Sequence, residues 1–498
     1  MEFINGEDRE QQTLFPETIN EYVNENNTVR IIDAFVNSLD LASMNFKRWE
    51  TKKTGRPPYD PKDILKLYIY GYMNRIRSSR RLEAESKRNL EVLWLLRKLS
   101  PDHKTIADFR KDNSNALKNV FRSFVKLCVR LDLYGKELAA IDGSKFKAVN
   151  SKDRNFTKDK LKDRIERIDK KIEEYLAELD KTDSQEDIAE KEKTTQEINQ
   201  IIKDLKERKN NYQKYSDELE ETGETQKSLT DPESRLMLSN GKMDVCYNVQ
   251  TAVDAKNKLI IEFEVTDRAN DLNQLTPITK KVQDILETQT IAITADAGYA
   301  SASDIAAAIQ IGAQPHVSGT DYQICVPVKT EEEQTEITSY TNGRCVYLKD
   351  RNIAVCPMGK ALYPGSYKKK KGQAVFYNNA ACKACSCRCT KGKNAFLYQF
   401  VMKEKDFNKE YNDKELFLKQ VHVKPERELY KHRKSLSEHP FGTVKRVMDG
   451  GYCLTKGIMK TTGEFALIFL AYNLKRAINI LGVKKLMEKM EITVYCHC

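Results

Sequence analysis

Two short apolar runs in this chain end on an aspartate that a glycine closely follows. Residues 139–141 precede Asp142 and Gly143, and residues 290–295 precede Asp296 and Gly298. Apolar runs of this length, bounded by turn-forming residues, predict buried strands. A carboxylate at the end of such a strand is costly to bury unless it binds a cation or joins a hydrogen-bond network. The pair therefore predicts two carboxylates in one site, whereas either aspartate alone is explained as well by a turn cap.

The pattern around these two runs alternates between strand-like and helix-like spacing. The predicted elements are, in order, the strand ending at Asp142, strands at 243–253 and 259–265, a helix at 272–286, the strand ending at Asp296, a helix through Ile309 to Gly312, and a strand at 323–328. The two acids lie on the first and fourth strands. This order predicts an α/β fold of the ribonuclease-H-like type, in which helices cover both faces of a mixed sheet.

The N-terminal part of the chain is helical and basic. Between Lys47 and Lys111, 18 Lys and Arg stand against 8 Asp and Glu, a local balance of +10 within a formal net charge of +11. So concentrated a positive field suits a polyanion such as nucleic acid. Short helices with turns between them, one starting at the cap Asp60 and Pro61, predict an all-α DNA-binding domain. The alternative is a plain helical bundle with a basic surface, because no base-reading residue is identifiable.

Residues 158–222 have apolar positions that step by three and four, as at Leu161, Ile165, Ile168 and Ile172. A polar break at 180–184 divides the run. This spacing predicts a helical hairpin with an antiparallel coiled-coil seam, inserted after the first strand. A structural arm or a dimer contact is its expected role.

Five of the 12 cysteines cluster between residues 356 and 389. Tetrahedral zinc takes four thiolate or imidazole ligands, commonly in two close pairs, so the spacing predicts a zinc-ribbon-like insert. Cys356 has no CxxC partner, which leaves free thiols as the alternative; disulfides are not expected in a long cytosolic chain. The predicted zinc ligands are Cys356, Cys382, Cys385 and Cys389, with Cys387 as the alternative fourth ligand.

The composition, 40% hydrophobic and 32% charged, is that of a soluble globular protein. The longest apolar run near the C-terminus, residues 465–472, is too short to span a bilayer. The acidic N-terminus lacks the apolar core of a signal peptide. We therefore expect a cytoplasmic protein without membrane contact.

A two-metal site needs more oxygen ligands than two aspartates provide, so a third carboxylate is expected on a helix beyond Asp296. The candidate is Glu438, with Arg433 and Lys445 nearby to bind phosphates. With these residues, the chain resembles the DDE transposases of prokaryotic insertion sequences whose third acid lies in a Tyr-Arg-Glu-Lys signature. Asp142 matches the first acid in residues 141–144, Asp296 the second in 295–299 and Glu438 the third in 437–442, with Tyr430, Arg433 and Lys445 in the accompanying roles.

One spacing departs from this signature. Six residues separate Glu438 from Lys445, as in the family, but four rather than three separate Arg433 from Glu438. Lys434 is the alternative residue for the role of Arg433.

The resemblance implies DNA transposition by two-metal phosphoryl transfer. Asp142, Asp296 and Glu438 would hold two Mg²⁺ or Mn²⁺ ions about 3.5–4 Å apart. Water would hydrolyse a phosphodiester bond at the transposon end, and the freed 3′-hydroxyl would then attack target DNA. Arg433 and Lys445 would bind backbone phosphates, and Tyr430 would contact a flanking nucleotide. The implied partners are double-stranded DNA, both ends and target, and a second copy of the chain, with nucleoid association when on DNA.

Two other functions remain open at this stage. One is a DNA-binding protein derived from a transposase and lacking catalysis, and the other is a metal-dependent nuclease on the same fold. The presence of all three acids argues against the first; the basic N-terminal domain and Lys445 argue against the second. The predicted organisation is a flexible N-terminus (1–30), the helical DNA-binding domain (31–135), the catalytic core in three parts (136–157, 223–329 and 404–484), the coiled-coil insert (158–222), the cysteine-rich insert (330–403) and a tail (485–498).

Overall fold

A computed structural model provides the structure of the chain. It describes residues 18–47, 57–150, 152–182, 188–239, 241–318, 322–327, 340–341, 346–348, 353–355, 361–364, 373–383, 400–403, 418–423 and 426–495. Most of the predicted flexible N-terminus lies outside the described residues.

The described residues contain fourteen α-helices. They are α1 (Thr28–Asn37), α2 (Pro61–Met73), α3 (Ser79–Arg88), α4 (Leu90–Leu95), α5 (His103–Asp112), α6 (Ser114–Arg130), α7 (Lys158–Thr182), α8 (Ile188–Thr222), α9 (Leu275–Leu286), α10 (Ala302–Gln310), α11 (Asn379–Lys383), α12 (Arg427–Gly442), α13 (Ile458–Leu481) and α14 (Val483–Tyr495).

The strands of the described residues form one central sheet and three others. They are β1 (Leu138–Lys147), β2 (Asn155–Thr157), β3 (Gln226–Ser228), β4 (Arg235–Ser239), β5 (Lys242–Asp254), β6 (Ile260–Thr266), β7 (Ile291–Ala295), β8 (Ala313–Val317), β9 (Tyr322–Pro327), β10 (Tyr340–Thr341), β11 (Val346–Leu348), β12 (Ile353–Val355), β13 (Ala361–Pro364), β14 (Gln373–Tyr377), β15 (Phe400–Lys403) and β16 (Leu418–Val423).

The central sheet has the order β4-β5-β1-β7-β8, and β6 pairs with β5. β1 runs antiparallel to β5 and parallel to β7, and β7 runs parallel to β8. The sheet is therefore mixed, and the predicted α/β class with a mixed sheet is confirmed. The other sheets of the described residues are antiparallel: one of six strands joins β10 to β15 in sequence, and two pairs join β9 to β16 and β2 to β3.

Helices cover both faces of the central sheet. Phe146 of β1 lies on the same face as Asp142 because side chains alternate along a strand, and it packs on Phe441 of α12 and Phe465 of α13. On the opposite face, Lys281 of α9 pairs with Glu264, whose partner across the ladder is Gln250. α12 and α13 thus cover the face that carries Asp142, and α9 covers the other.

The central sheet differs from the prediction in several strands. The strand predicted to end at Asp142 continues to Lys147, and the edge strand β4 was not predicted. The predicted strand at 323–328 forms as β9, but it pairs with β16 and not with the central sheet. Its place beside β7 is taken by β8, which sequence reasoning missed. The segment Ala313-Gln314-Pro315-His316-Val317 has two polar residues and a proline, so its apolar signal is weak, yet Pro315 is tolerated at the edge of the sheet.

The long helices α7 and α8 pack against each other. At their base, Phe156 of β2, Leu161 of α7 and Leu219 of α8 form a small apolar cluster separate from the main core. Two tyrosines of α8, Tyr212 and Tyr215, pack around Phe156. The helical spacing read from the sequence therefore corresponds to two helices that share a seam.

Among the described residues, no single helix is both long and apolar enough to cross a membrane. One consecutive pair, Ile458–Leu481 with Val483–Met490, has the length and composition together but bends by 106° between its halves.

One buried ion pair ties the N-terminal helices to the C-terminal part of the chain. Arg77, between α2 and α3, donates to Glu464 of α13 at 2.5 Å and to the carbonyl oxygens of Asp449 and Tyr452. Both side chains of the ion pair are at most 3% exposed. Glu464 also accepts the amides of Leu454 and Thr455, so this pair fixes the loop that follows α12.

We expect Arg77→Met to destabilise the protein by about 3–5 kcal/mol, because it leaves the Glu464 carboxylate buried without its cation. Arg88→Met is the matched control, since Arg88 pairs with Glu85 while 70% exposed, and an exposed pair contributes about 1 kcal/mol or less. Urea unfolding midpoints measure both effects. Equal shifts for the two variants would contradict the assigned role of the Arg77–Glu464 pair.

Candidate functional site

Asp142 lies within β1, and Asp296 directly follows the last residue of β7. The parallel register pairs Ala140 of β1 with Thr294 of β7, so the acids two residues further along the two segments lie next to each other in the sheet direction. Asp142 accepts the Gly143 amide at 2.9 Å, and Asp296 accepts the Gly298 amide at 2.8 Å. The structure therefore brings the two predicted aspartates together, each held by the glycine that follows it.

The electrostatics of Asp142 reflect this crowding. Burial raises the pKa of Asp142 above its ordinary value, and the negative charge of Asp296 raises it further. The Ser437 hydroxyl, the Arg433 guanidinium and the Gly143 amide oppose the rise. A cation placed between the two carboxylates would be favoured for the same reason that the proton is.

Helix α12 supplies the residues that face Asp142. Arg433 Nη1 lies 3.8 Å from Asp142 Oδ2, and Ser437, one helical turn later, is fully buried on the same side. Glu438 follows Ser437 and is rotated by about 100° around the helix axis. Its side chain is 63% exposed and lies 3.9 Å from Lys434.

Glu438, the predicted third acid, therefore does not lie together with Asp142 and Asp296 in the structure. Over the described ranges of the chain, no group of three or more His, Cys, Asp or Glu side chains is arranged to hold a metal ion. Asp142 and Asp296 suit Mg²⁺ or Mn²⁺ as a pair of oxygen donors, and Glu438 would complete the set only if its side chain turned toward them. The catalytic and metal-binding roles of all three acids stay predictions.

Lys445 reaches the site from the π-helical turn Thr443–Val447 that follows α12. Its ammonium donates to Ser144 Oγ at 2.6 Å and to the Lys145 carbonyl at 3.0 Å, and it lies 4.5 Å from the centre of the Phe146 ring. Burial lowers the pKa of Lys445 below its ordinary value, against the charge of nearby Asp142. The structure therefore places Arg433 and Lys445 beside Asp142, from α12 and from the turn after it.

Sequence reasoning missed one acid at this edge. Asp271, in the loop between β6 and α9, accepts hydrogen bonds from Asn248 and Gln250 and lies 3.4 Å from Lys145 Nζ. It follows the polar stretch Asp267-Arg268-Ala269-Asn270 and no apolar run, so the strand-end signal that identified Asp142 and Asp296 is absent.

The remaining predicted site residues are only partly described. Tyr430 lies in α12, but its side chain is outside the described residues, as are Cys356, Cys385, Cys387 and Cys389. Cys382 is a free, half-buried thiol in α11. The zinc site therefore stays a prediction.

Two segments of the chain match known protein families. Residues 17–112 match the family described as Transposase domain (DUF772), and residues 355–478 match the Transposase DDE domain. These matches support a DDE transposase. The second segment contains Arg433, Glu438 and Lys445, whereas Asp142 and Asp296 lie between the two matched segments.

No curated protein matches the chain in sequence. Among solved structures, the cryo-EM structure of a piggyBac transposase synaptic complex with hairpin DNA aligns over 94% of this chain and 80% of its own, with 9% sequence identity and a TM-score of 0.29. A TM-score this low carries no argument about fold or function.

We expect Gly143→Ala to destabilise the protein by about 1–3 kcal/mol, as overpacking does in a filled core. A Cβ at this position would lie 2.4 Å from Gln250 Nε2 and 2.6 Å from Asp271 Oδ1. Gly442→Ala is the control, because a Cβ there meets no atom within 4 Å and alanine favours the helix. If thermal melting shows no difference between the two variants, the packing at Gly143 is not as tight as described.

Proposed function

We propose that the protein is a DNA transposase that cleaves phosphodiester bonds at the ends of a mobile element and joins the 3′ ends to target DNA. The proposal rests on one observation: acidic and basic side chains lie together around Asp142. Two aspartates, Asp142 within β1 and Asp296 directly after β7, lie beside two cations, Arg433 and Lys445, that belong to the segment matching the Transposase DDE domain.

In this function the acids and the cations have different tasks. Asp142 and Asp296 would bind a divalent cation, joined by Glu438 once its side chain turns inward. The bound ion supplies charge neutralisation and activation of the attacking oxygen. Arg433 and Lys445 would bind phosphates on either side of the scissile bond, since each lies beside Asp142 and carries a donor suited to phosphate. Catalysis then depends mainly on positioning and electrostatic stabilisation.

DNA binding would involve the N-terminal helices. Arg80 and Arg81 at the start of α3 are exposed, and the segment that holds them matches a transposase domain. Their charge suits phosphate contacts that orient a duplex without reading its bases. Pairing of two DNA ends would require two copies of the chain, so a homodimer on DNA is part of the proposal.

The exposed position of Glu438 favours a second candidate, a DNA-binding protein derived from a transposase but without catalysis. A nuclease that cuts without joining is the third outcome of the same test. The substrate is linear DNA that carries the sequences flanking the coding region, with one strand pre-nicked at each end, incubated with Mg²⁺ or Mn²⁺. Joining to a target plasmid supports the transposase, hydrolysis alone supports the nuclease, and binding alone supports the second candidate.

We expect Glu438→Gln to reduce strand transfer by about 100-fold or more, because it removes a charged group needed only in the reaction. Glu428→Gln is the matched control on the same helix, since Glu428 is also exposed and loses the same charge. Single-turnover rates on the pre-nicked substrate measure the effect. A Glu438→Gln variant as active as the control would remove Glu438 from the site.

We expect the double change Arg80→Ala, Arg81→Ala to weaken DNA binding at all sequences and to reduce the slope of log affinity against log salt by about 2. The control is Lys203→Ala, Lys206→Ala, which removes two exposed charges from α8. Fluorescence anisotropy over a range of salt concentrations measures both slopes. An unchanged slope for the α3 variant would place the DNA on another surface.

A further inference from the structure

Asp271 has no role in the proposed chemistry, yet its carboxylate accepts hydrogen bonds from several donors. Its Oδ1 accepts from Asn248 Nδ2 at 2.7 Å and from Gln250 Nε2 at 2.5 Å, and Lys145 Nζ lies 3.4 Å away. Asn248 and Gln250 are both fully buried on β5. So many donors on one carboxylate oxygen fix its position far more firmly than a surface aspartate is fixed.

The Asp271 carboxylate lies between the two glycines that hold the candidate acids. A Cβ built on Gly143 would be 2.6 Å from Asp271 Oδ1, and one built on Gly298 would be 3.4 Å from Asp271 Oδ2. The amides of these same glycines donate to Asp142 and Asp296. Asp271 therefore occupies the space that a side chain would fill at both glycines, beside the points from which the two acids are oriented.

A second route connects Asp271 to the turn after β7. The Tyr299 hydroxyl, in the same turn as Gly298, donates to Gln250 Oε1, and the amide nitrogen of Gln250 donates to Asp271. Burial and the charges of Asp271, Asp142 and Asp296 raise the pKa of Tyr299, so the phenol stays protonated and remains a donor. The relay links the β6–α9 loop, β5 and the turn that carries Asp296.

Among the described residues, the network leaves one buried acceptor, Asn248 Oδ1, without a hydrogen bond. Asn248 Oδ1 has no hydrogen-bond partner although Asn248 is fully buried, and it lies 3.0 Å from the position of a Gly143 Cβ. An unsatisfied buried acceptor destabilises the folded state. The amide keeps this orientation because its nitrogen is directed at Asp271.

We propose that Asp271 is a positioning residue of the site: its hydrogen bonds to Asn248 and Gln250 and its place beside Gly143 and Gly298 fix the spacing between Asp142 and Asp296. Asp271 acts through the backbone and needs no contact with substrate. Its value for catalysis rests on the proposed transposase function, whereas its effect on the two acid-bearing segments does not.

The test compares Asp271→Ala with Asp271→Asn. Alanine leaves the Asn248 and Gln250 amides without an acceptor, whereas asparagine retains an oxygen that can accept from them and loses only the charge beside Lys145. Asp284→Asn and Asp284→Ala are the matched controls, because Asp284 is exposed on the nearby helix α9.

The first measurement is hydrogen–deuterium exchange in the absence of DNA and metal. We expect Asp271→Ala to speed amide exchange in peptides spanning 138–147 and 291–301, Asp271→Asn to do so less, and the Asp284 variants not at all. Tyr299→Phe, which breaks only the relay, is expected to affect the 291–301 peptide alone, and it serves if Asp271→Ala does not fold. Unchanged exchange in both peptides for Asp271→Ala, or equal effects of alanine and asparagine, would overturn the proposal.

The second measurement is strand transfer as a function of Mn²⁺ concentration. We expect Asp271→Ala to raise the half-saturating Mn²⁺ concentration about 10- to 100-fold, the range seen for residues that orient metal ligands, with a much smaller change in the rate at saturation. A loss of rate at every Mn²⁺ concentration, with an unchanged midpoint, would also overturn it. If the unaltered protein neither cleaves nor joins DNA, the proposed function fails, and the exchange experiment still decides the role of Asp271.

Discussion

The parallel pairing of β1 with β7 is the constraint on which the candidate site depends. It brings Asp142 and Asp296, which are far apart in the sequence, close enough for the charge of Asp296 to raise the pKa of Asp142. Two like charges so close, one of them largely buried, destabilise each other unless cations or donors compensate. The amides of Gly143 and Gly298, and the cations from α12 and the turn after it, compensate only in part, because the pKa of Asp142 stays raised by burial and by the charge of Asp296.

The positions of Arg433 and Lys445 depend on packing outside the site. α13 is buried along much of its length and contacts α2 and α6 of the N-terminal part as well as the sheet. Phe146, next to the site on β1, packs on Phe465 of α13 and Phe441 of α12. The Arg77–Glu464 pair then fixes the loop between these helices. The basic N-terminal helices and the acidic edge are thereby parts of one packed structure and share one apolar core.

Local pattern was enough to predict that strands precede Asp142 and Asp296, because both are preceded by continuous apolar runs. It was wrong about the end of β1, which continues past Asp142 to Lys147 because its pairing with β5 extends that far. It was not enough for β8, whose Gln314, Pro315 and His316 give no strand signal and whose pairing with β7 supplies the stability. Local pattern could not identify Asp271 either, because only the tertiary fold brings its loop next to Gly143. Contacts between residues far apart in the sequence determine these positions, and a single sequence gives little information about such contacts.

The position of Glu438 follows from helix geometry. Arg433 and Ser437 are four residues apart and share the face toward Asp142, so the next residue points about 100° away. Lys445 nevertheless returns to β1, because the wider turn at Thr443–Val447 changes the rotation of the chain after α12. Rotating α12 as a rigid body would bring Glu438 inward but would remove Arg433 from Asp142. In the proposed function, a change of the Glu438 side chain and of the local turn would bring the three acids together and leave both cations in place.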